Sequence, residues 1–210
     1  MNLTKSDKEQ IKKAVEKAEL STRGEIVPMI LKRSDAYPAA HFRAAIVFGL
    51  VFAFALYYFP FYEAGDALIY LWTMMGGMLI GYFLCFHRKV KTFFLSKKEV
   101  NEEVHQRALE AFFHEGVHNT KERTGILLFV SSLEHRAELI ADCGINEKVD
   151  KDAWDEILKP MLQGLKEGNP GDAITKAVEE CGVLLEKHFP FTGDQKEKDT
   201  NELSDQVITD

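Results

Sequence analysis

The chain has 210 residues and a formal net charge of −7, with a pI near 5.6. That length buries a core without disulfide or metal staples, and the acidic balance speaks against a nucleic-acid partner, because phosphate binding needs a concentrated basic face. The three cysteines, Cys85, Cys143 and Cys181, form no CxxC spacing and fit reduced thiols facing a cytosol rather than a disulfide frame.

The first element is a helix. In SDKEQIKKAVEKAEL, Ser6 and Glu9 are spaced as a capping box, and Ile11, Ala14, Val15 and Ala18 fall on one stripe. The run Gly24 to Leu31 then predicts a strand, with Pro28 marking an edge or a bulge. One helix and one strand of this size cannot close a core, so they require residues from further along the chain.

Between Arg43 and Glu63 lie nineteen residues without a charge, and between Asp66 and His87 lie twenty more. As helices they extend roughly 28 to 30 Å, the thickness of a bilayer's hydrocarbon core. Residues 44–62 and 67–86 are therefore read as two membrane spans joined by a tight turn. Tyr57, Tyr58, Tyr62, Tyr70 and Trp72 gather toward that turn, where amphipathic rings suit the lipid boundary. The turn Glu63-Ala64-Gly65-Asp66 has no Lys or Arg. Lys32, Arg33 and Arg43 precede the first span, and Arg88, Lys89, Lys91, Lys97 and Lys98 follow the second. The positive-inside rule then puts both termini in the cytoplasm. Gly77 and Gly81 form a small-xxx-small pattern, expected to pack the two spans against each other rather than against a second copy. Neither span holds a charge, which disfavours a transporter or channel.

Beyond the spans, Ser96 and Glu99 suggest another capping box. Val100, Val104, Ala108, Ala111 and Phe112 mark the buried face of a helix ending near Gly116. Ile126 to Val130 is apolar on both faces, as an inner strand is, and strand-helix-strand implies a parallel pair. HRAELIAD, after the short turn Ser131 to Glu134, predicts a third strand antiparallel to the second. Two helices follow. One carries Trp154, Ile157, Leu158, Met161, Leu162 and Leu165, with Pro160 inside and Gly168 as its stop. The other begins at Asn169-Pro170 with Ala173, Ile174, Ala177, Val178, Cys181, Leu184 and Leu185 as its stripe. Residues 191–210 hold few apolar groups and read as a flexible acidic tail.

The expected fold is α/β: a three-layer α/β/α sandwich with a small mixed sheet, built from residues 1–38 and 92–190 and interrupted by the membrane hairpin of residues 39–91. The stretches STRGEIVPMIL, ALEAFFHEGVHNTKERTGILLFVSSLEHRAELIADCGI and GDAITKAVEECGVLLEKHFP resemble the TPM domain family, specifically its membrane-hairpin branch. The resemblance covers most of the non-membrane chain, roughly Thr4 to Pro190. It implies the same sandwich and raises a phosphatase as a candidate activity, since one chloroplast branch has a proposed acid phosphatase activity.

His114-Glu115-Gly116-Val117-His118 spells HExxH, which on one continuous helix would hold zinc with Glu115 as general base. Gly116, however, sits where the helix should stop, and the following residues read as a loop, so the match is taken as accidental. Arg123, Thr124 and Asp142 are better candidates. If the second and third strands are antiparallel, these residues share a sheet edge with Thr22 and Arg23. A phosphate or a Ca²⁺ or Mg²⁺ ion could bind there, with Asp142 as ligand or nucleophile; an ion pair that merely fixes the loops is the preferred alternative. At the opposite edge, Glu134, His135 and Arg136 lie with Lys32, Arg33, Ser34 and Asp35, at the carboxyl ends of the parallel strands. No GxxxxGK[ST], GxSxG or GxGxxG occurs, and Cys143 lacks the downstream arginine of a cysteine phosphatase loop. The leading expectation is a membrane-anchored cytosolic module that needs no cofactor and binds protein partners at the lipid surface. A weak Asp142-centred phosphatase is the alternative.

Overall fold

The computed structural model describes residues 3–58, 67–191 and 201–209. The chain divides into two compact units: Met1–Asp35 together with Asn101–Asp210, and Ala36–Val100.

In the first unit, helix α1 (Lys5–Glu19) starts two residues earlier than Ser6 and Glu9 imply. Thr4 is the cap: its hydroxyl accepts from Asp7 N at 3.1 Å, and its own N–H donates to the Asp7 carboxylate at 2.8 Å. Two capping-box spacings overlap in the sequence, and the earlier one adds residues to the helix. Strands β1 (Glu25–Leu31) and β2 (Gly125–Ser131) pair in parallel, from Glu25↔Gly125 to Leu31↔Ser131. Strand β3 (Arg136–Ala141) runs antiparallel to β2, and β4 (Ile208–Thr209) runs parallel to β1. The order β3-β2-β1-β4 makes a mixed four-stranded sheet.

One face of this sheet packs on α1 and on the helices numbered α7 (Lys151–Glu167) and α8 (Pro170–His188). Ile26, Ile30, Ile126, Leu128 and Val130 join Ile11, Val15, Trp154, Ile157, Met161, Ile174, Val178 and Leu185 in a single core. By strand alternation, Val27, Met29, Leu127 and Phe129 point the other way, and all are buried. On that side runs α5 (Lys97–His114), located there by His105 Nδ1, 2.8 Å from Glu138 Oε2 on β3. Helices on both faces of a small mixed sheet give the α/β sandwich that the periodicities imply.

Pro28 fits within β1 because of which way its backbone faces. Glu25 N donates to Thr124 O, so the odd-numbered residues of β1 direct their backbone groups at β2 and the even-numbered ones direct theirs outward. On that outer edge Ile26 N–H is taken by the Glu19 carboxyl at 2.8 Å, Pro28 has no N–H, and Ile30 pairs opposite Thr209. The edge is closed residue by residue.

The expected flexible tail is corrected here over residues 201–209; residues 192–200 lie outside those described. Glu202 N and Leu203 N donate to the Glu25 carboxylate at 3.2 and 3.3 Å. Lys121 N donates to the Glu202 carboxylate at 3.0 Å, and Lys8 Nζ to Thr209 Oγ1 at 2.7 Å. The segment docks through main-chain and charged contacts, so its low apolar content did not betray the attachment.

The second unit holds α2 (Pro38–Tyr58), α3 (Ala67–Leu84) and a short helix the sequence did not signal, α4 (Arg88–Phe94). Tyr62 and the expected turn Glu63 to Asp66 lie outside the described residues. The helices α2 and α3 run antiparallel at very close range, because glycine faces backbone at the crossing. A Cβ on Gly81 would lie 2.6 Å from Ala44 O, one on Gly77 2.8 Å from Phe48 O, and one on Gly49 2.6 Å from Met78 Cγ. Gly77 and Gly81 thus pack the hairpin against itself. Around the start of α2, Arg43 donates to Phe94 O at 3.1 Å and to Glu99 at 2.6 Å, and Lys91 donates to Ala36 O.

Gly76 offers an internal control, since nothing lies within 4 Å of a Cβ placed there. Gly81→Leu is expected to destabilise the hairpin by about 1–3 kcal/mol through overpacking. Gly76→Leu is expected to leave stability unchanged. Melting of the detergent-purified protein, with both variants side by side, checks this, and equal losses would place the tight face elsewhere.

Candidate functional site

The entry to β2 and the exit from β3 meet, as the antiparallel register requires: Ile126 pairs with Ala141, and Asp142 N donates to Gly125 O at 2.9 Å. This brings Arg123, Thr124 and Asp142 together. Arg123 adopts a left-handed backbone, φ 58°, which turns its side chain back over the junction. Its Nε lies 3.1 Å from Asp142 Oδ2, and its NH1 donates to His118 O at 2.7 Å. The guanidinium pKa is held above its ordinary value, chiefly by a hydrogen bond with Cys143 and then by the Asp142 charge.

Asp142 is 4% exposed and caps the one-turn helix α6 (Cys143–Asn146), its Oδ1 accepting from Cys143 N at 2.6 Å. Its Oδ2 is close to Arg123 without receiving a directed N–H, so the pair is an ion contact rather than a bidentate fork. Thr124 Oγ1 donates to Arg23 O at 2.8 Å, Thr22 Oγ1 to Phe189 O at 2.9 Å, and Arg23 pairs with Glu122. A Cβ on Gly144 would meet Arg123 O at 2.7 Å and Glu122 O at 2.8 Å, so the two loops touch backbone to backbone. Of the residues expected to hold a ligand, Arg123, Thr124 and Asp142 are engaged within this junction. As a nucleophile or cation ligand, Asp142 would have to act from a carboxylate that is almost wholly buried, holds the α6 cap through Oδ1 and has the Arg123 charge beside Oδ2.

Arg136 lies at the far end of β3, opposite Ser131, and does not join this cluster. Its Nε is buried and finds no hydrogen-bond acceptor among the described residues; the same holds for Ser34 Oγ. Glu134 ties this edge, accepting from Ser131 Oγ and from Ser34 N at 3.0 Å.

The HExxH string is broken by the backbone. The helix α5 ends at His114, Gly116 takes φ 72°, which favours glycine, and His118 sits in a separate 3₁₀ turn, Val117–Asn119. His114 instead contacts Glu115 at 2.9 Å, and no His, Cys, Asp and Glu group among the described residues is placed to hold a metal ion.

A strongly perturbed carboxyl lies elsewhere, in a cleft of about 300 Å³ lined by Glu16, Glu19, Glu25 and Asp205. Burial pushes Glu19 up to about 9 against the pull of the Ile26 N–H, with the Glu25 and Asp205 charges adding to the rise. No sequence signal marked this cluster, since it forms only when residues 201–209 return to β1.

Asp142→Ala removes a helix cap and leaves Arg123 without its buried partner; a loss of about 2 kcal/mol is expected, with Asp142→Asn losing less because it keeps the cap acceptor. Denaturant unfolding measures both, and a neutral Asp142→Ala would show the junction to be slack. For Glu19, folding raises the pKa from 4.5 to about 9, so the folded chain retains a proton that the unfolded chain releases. Stability therefore falls as pH climbs through that window, by at most about 1.4 kcal/mol per pH unit. Glu19→Gln, which still accepts from Ile26 N–H, is expected to match the wild type below pH 4.5 and to be increasingly more stable up to about pH 9. Parallel melting curves across pH would sink this assignment.

Residues 89–183 match the family model described as the TPM domain. The search of curated proteins returned no match. Among solved structures, the NMR structure of BA42 protein from the psychrophilic bacterium Bizionia argentinensis is similar in fold. The TM-score is 0.62 and the sequence identity 20%, over 100% of this chain and 97% of that one.

Proposed function

We propose that the chain is a membrane-anchored module that holds its TPM domain at the cytoplasmic face and binds protein partners there, without catalysis of its own. One observation carries the membrane part. Helices α2 and α3, 21 and 18 residues long, are apolar enough to cross a bilayer, and only 28% and 11% of their most apolar windows are buried within the protein. A core helix of a soluble protein has the opposite character, apolar and enclosed. Phe42, Ile46, Leu50, Phe54, Leu68, Leu71, Leu79 and Phe83 all point away from the chain. Apart from Leu20, Leu109, Phe113 and Val183, the large exposed hydrophobic side chains among the described residues all fall between Phe42 and Phe93. Water penalises such a surface at roughly 25 cal/mol per Å², whereas lipid tails do not.

The distribution of Lys and Arg supports cytoplasmic termini. Binding is favoured over phosphomonoester hydrolysis because the Asp142 carboxylate is engaged by Cys143 N and Arg123. The protein is expected to stay in the membrane pellet through high-salt and alkaline washes, with a C-terminal tag reached only after the cytoplasmic side is opened. Recovery in the supernatant, or labelling of the tag from outside, overturns the reading. The detergent-purified protein is expected to hydrolyse no phosphomonoester with Mg²⁺ or Ca²⁺; an activity abolished by Asp142→Asn would install the hydrolase instead.

A further inference from the structure

Resting on that membrane reading, we propose that α4 lies in the plane of the bilayer surface and binds anionic phospholipid headgroups through one face. Successive residues of a helix are rotated by about 100°, which puts Arg88, Lys89, Thr92 and Phe93 on one side and Val90, Lys91 and Phe94 on the other. The structure separates the same two sets. Arg88, Lys89, Thr92 and Phe93 are exposed, while Val90 and Phe94 are half-buried and Lys91 is buried with its ammonium on Ala36 O. Within this unit α4 packs on α2. Its outward face therefore combines two cations with an aromatic ring.

The ring is the informative part. Phe93 is 81% exposed, and Phe86, at the turn before α4, is 68% exposed, so the apolar surface of α3 continues around the corner beside the cations. A helix that presents cations and a bare phenylalanine on one face matches the level where phosphate headgroups meet acyl chains. A soluble phosphopeptide would satisfy the charges but leave the ring in water. The antiparallel hairpin also brings this end of α3 beside the start of α2, so α4 sits at the basic end of the pair. The next residues add exposed Lys97 and Lys98, and Glu99, the acid that follows, is paired with Arg43. Each surface cation in such a setting favours an anionic lipid by about five-fold.

The test uses the full chain reconstituted into vesicles of phosphatidylcholine, alone or with phosphatidylglycerol, followed by mass spectrometry of the lipids retained on extraction. The wild type is expected to retain phosphatidylglycerol over phosphatidylcholine, and R88Q/K89Q to lose about ten-fold or more of that preference while inserting equally well. Phe93→Ser is expected to weaken retention of both lipids. Insertion into both vesicles without headgroup preference, or a preference unchanged in R88Q/K89Q, overturns this inference and leaves the membrane anchor standing. Failure to enter either vesicle overturns the anchor and this inference together. Displacement of phosphatidylglycerol by millimolar inorganic phosphate would reveal a soluble-anion site and likewise refute the headgroup assignment.

Discussion

The parallel pairing of β1 with β2 is the constraint on which the rest of the structure depends. Parallel neighbours cannot be joined by a tight turn, so the chain leaving Leu31 must travel back before Gly125 can lie beside Glu25. In this protein the long connection contains the apolar hairpin as well as α5. An antiparallel pair of helices returns the chain to the end from which it set out, so inserting it into a crossover costs little more than a longer loop. The domain can thus be discontinuous in sequence without being discontinuous in its core, where Ile26, Ile30, Ile126 and Leu128 meet.

The two compact units are patterned in opposite ways. In the sandwich, apolar side chains turn inward and polar ones close the edges: Glu19 on Ile26 N–H, Glu25 on the returning C-terminal segment, Asp142 at the mouth of α6. In the hairpin the arrangement is reversed. Glycines and small residues face inward, allowing backbone contact, and the large apolar side chains face outward. Inside-out patterning of this kind is the feature from which the proposed membrane location is argued.

Much of the sandwich was legible because its elements obey local periodicities. The stripe of Ile11, Val15 and Ala18, the apolar run Ile126 to Val130 and the Asn169-Pro170 helix start each declare their geometry within a few residues. The meeting of Arg123 and Asp142 was legible too, since an antiparallel β2–β3 pair leaves the start of one strand beside the end of the other. A loop-fixing ion pair was the favoured reading of the two, but spacing left a ligand site open beside it. Whether a buried carboxylate is offered to a ligand or committed to a helix cap depends on atoms such as Cys143 N and on the close approach permitted by Gly144, and neither is written in spacing.

By itself, the sequence determined α1, α5, α7, α8 and the two apolar helices of the hairpin, three of the four strands and the helix stop near Gly116, because propensity, periodicity and charge act over short range. Tertiary structure alone decided the attachment of β4, the proton held at Glu19 and the outward face of α4. Each arises where segments remote in the chain, or a helix and the neighbour it packs on, come together, and such proximity is a property of packing rather than of local order.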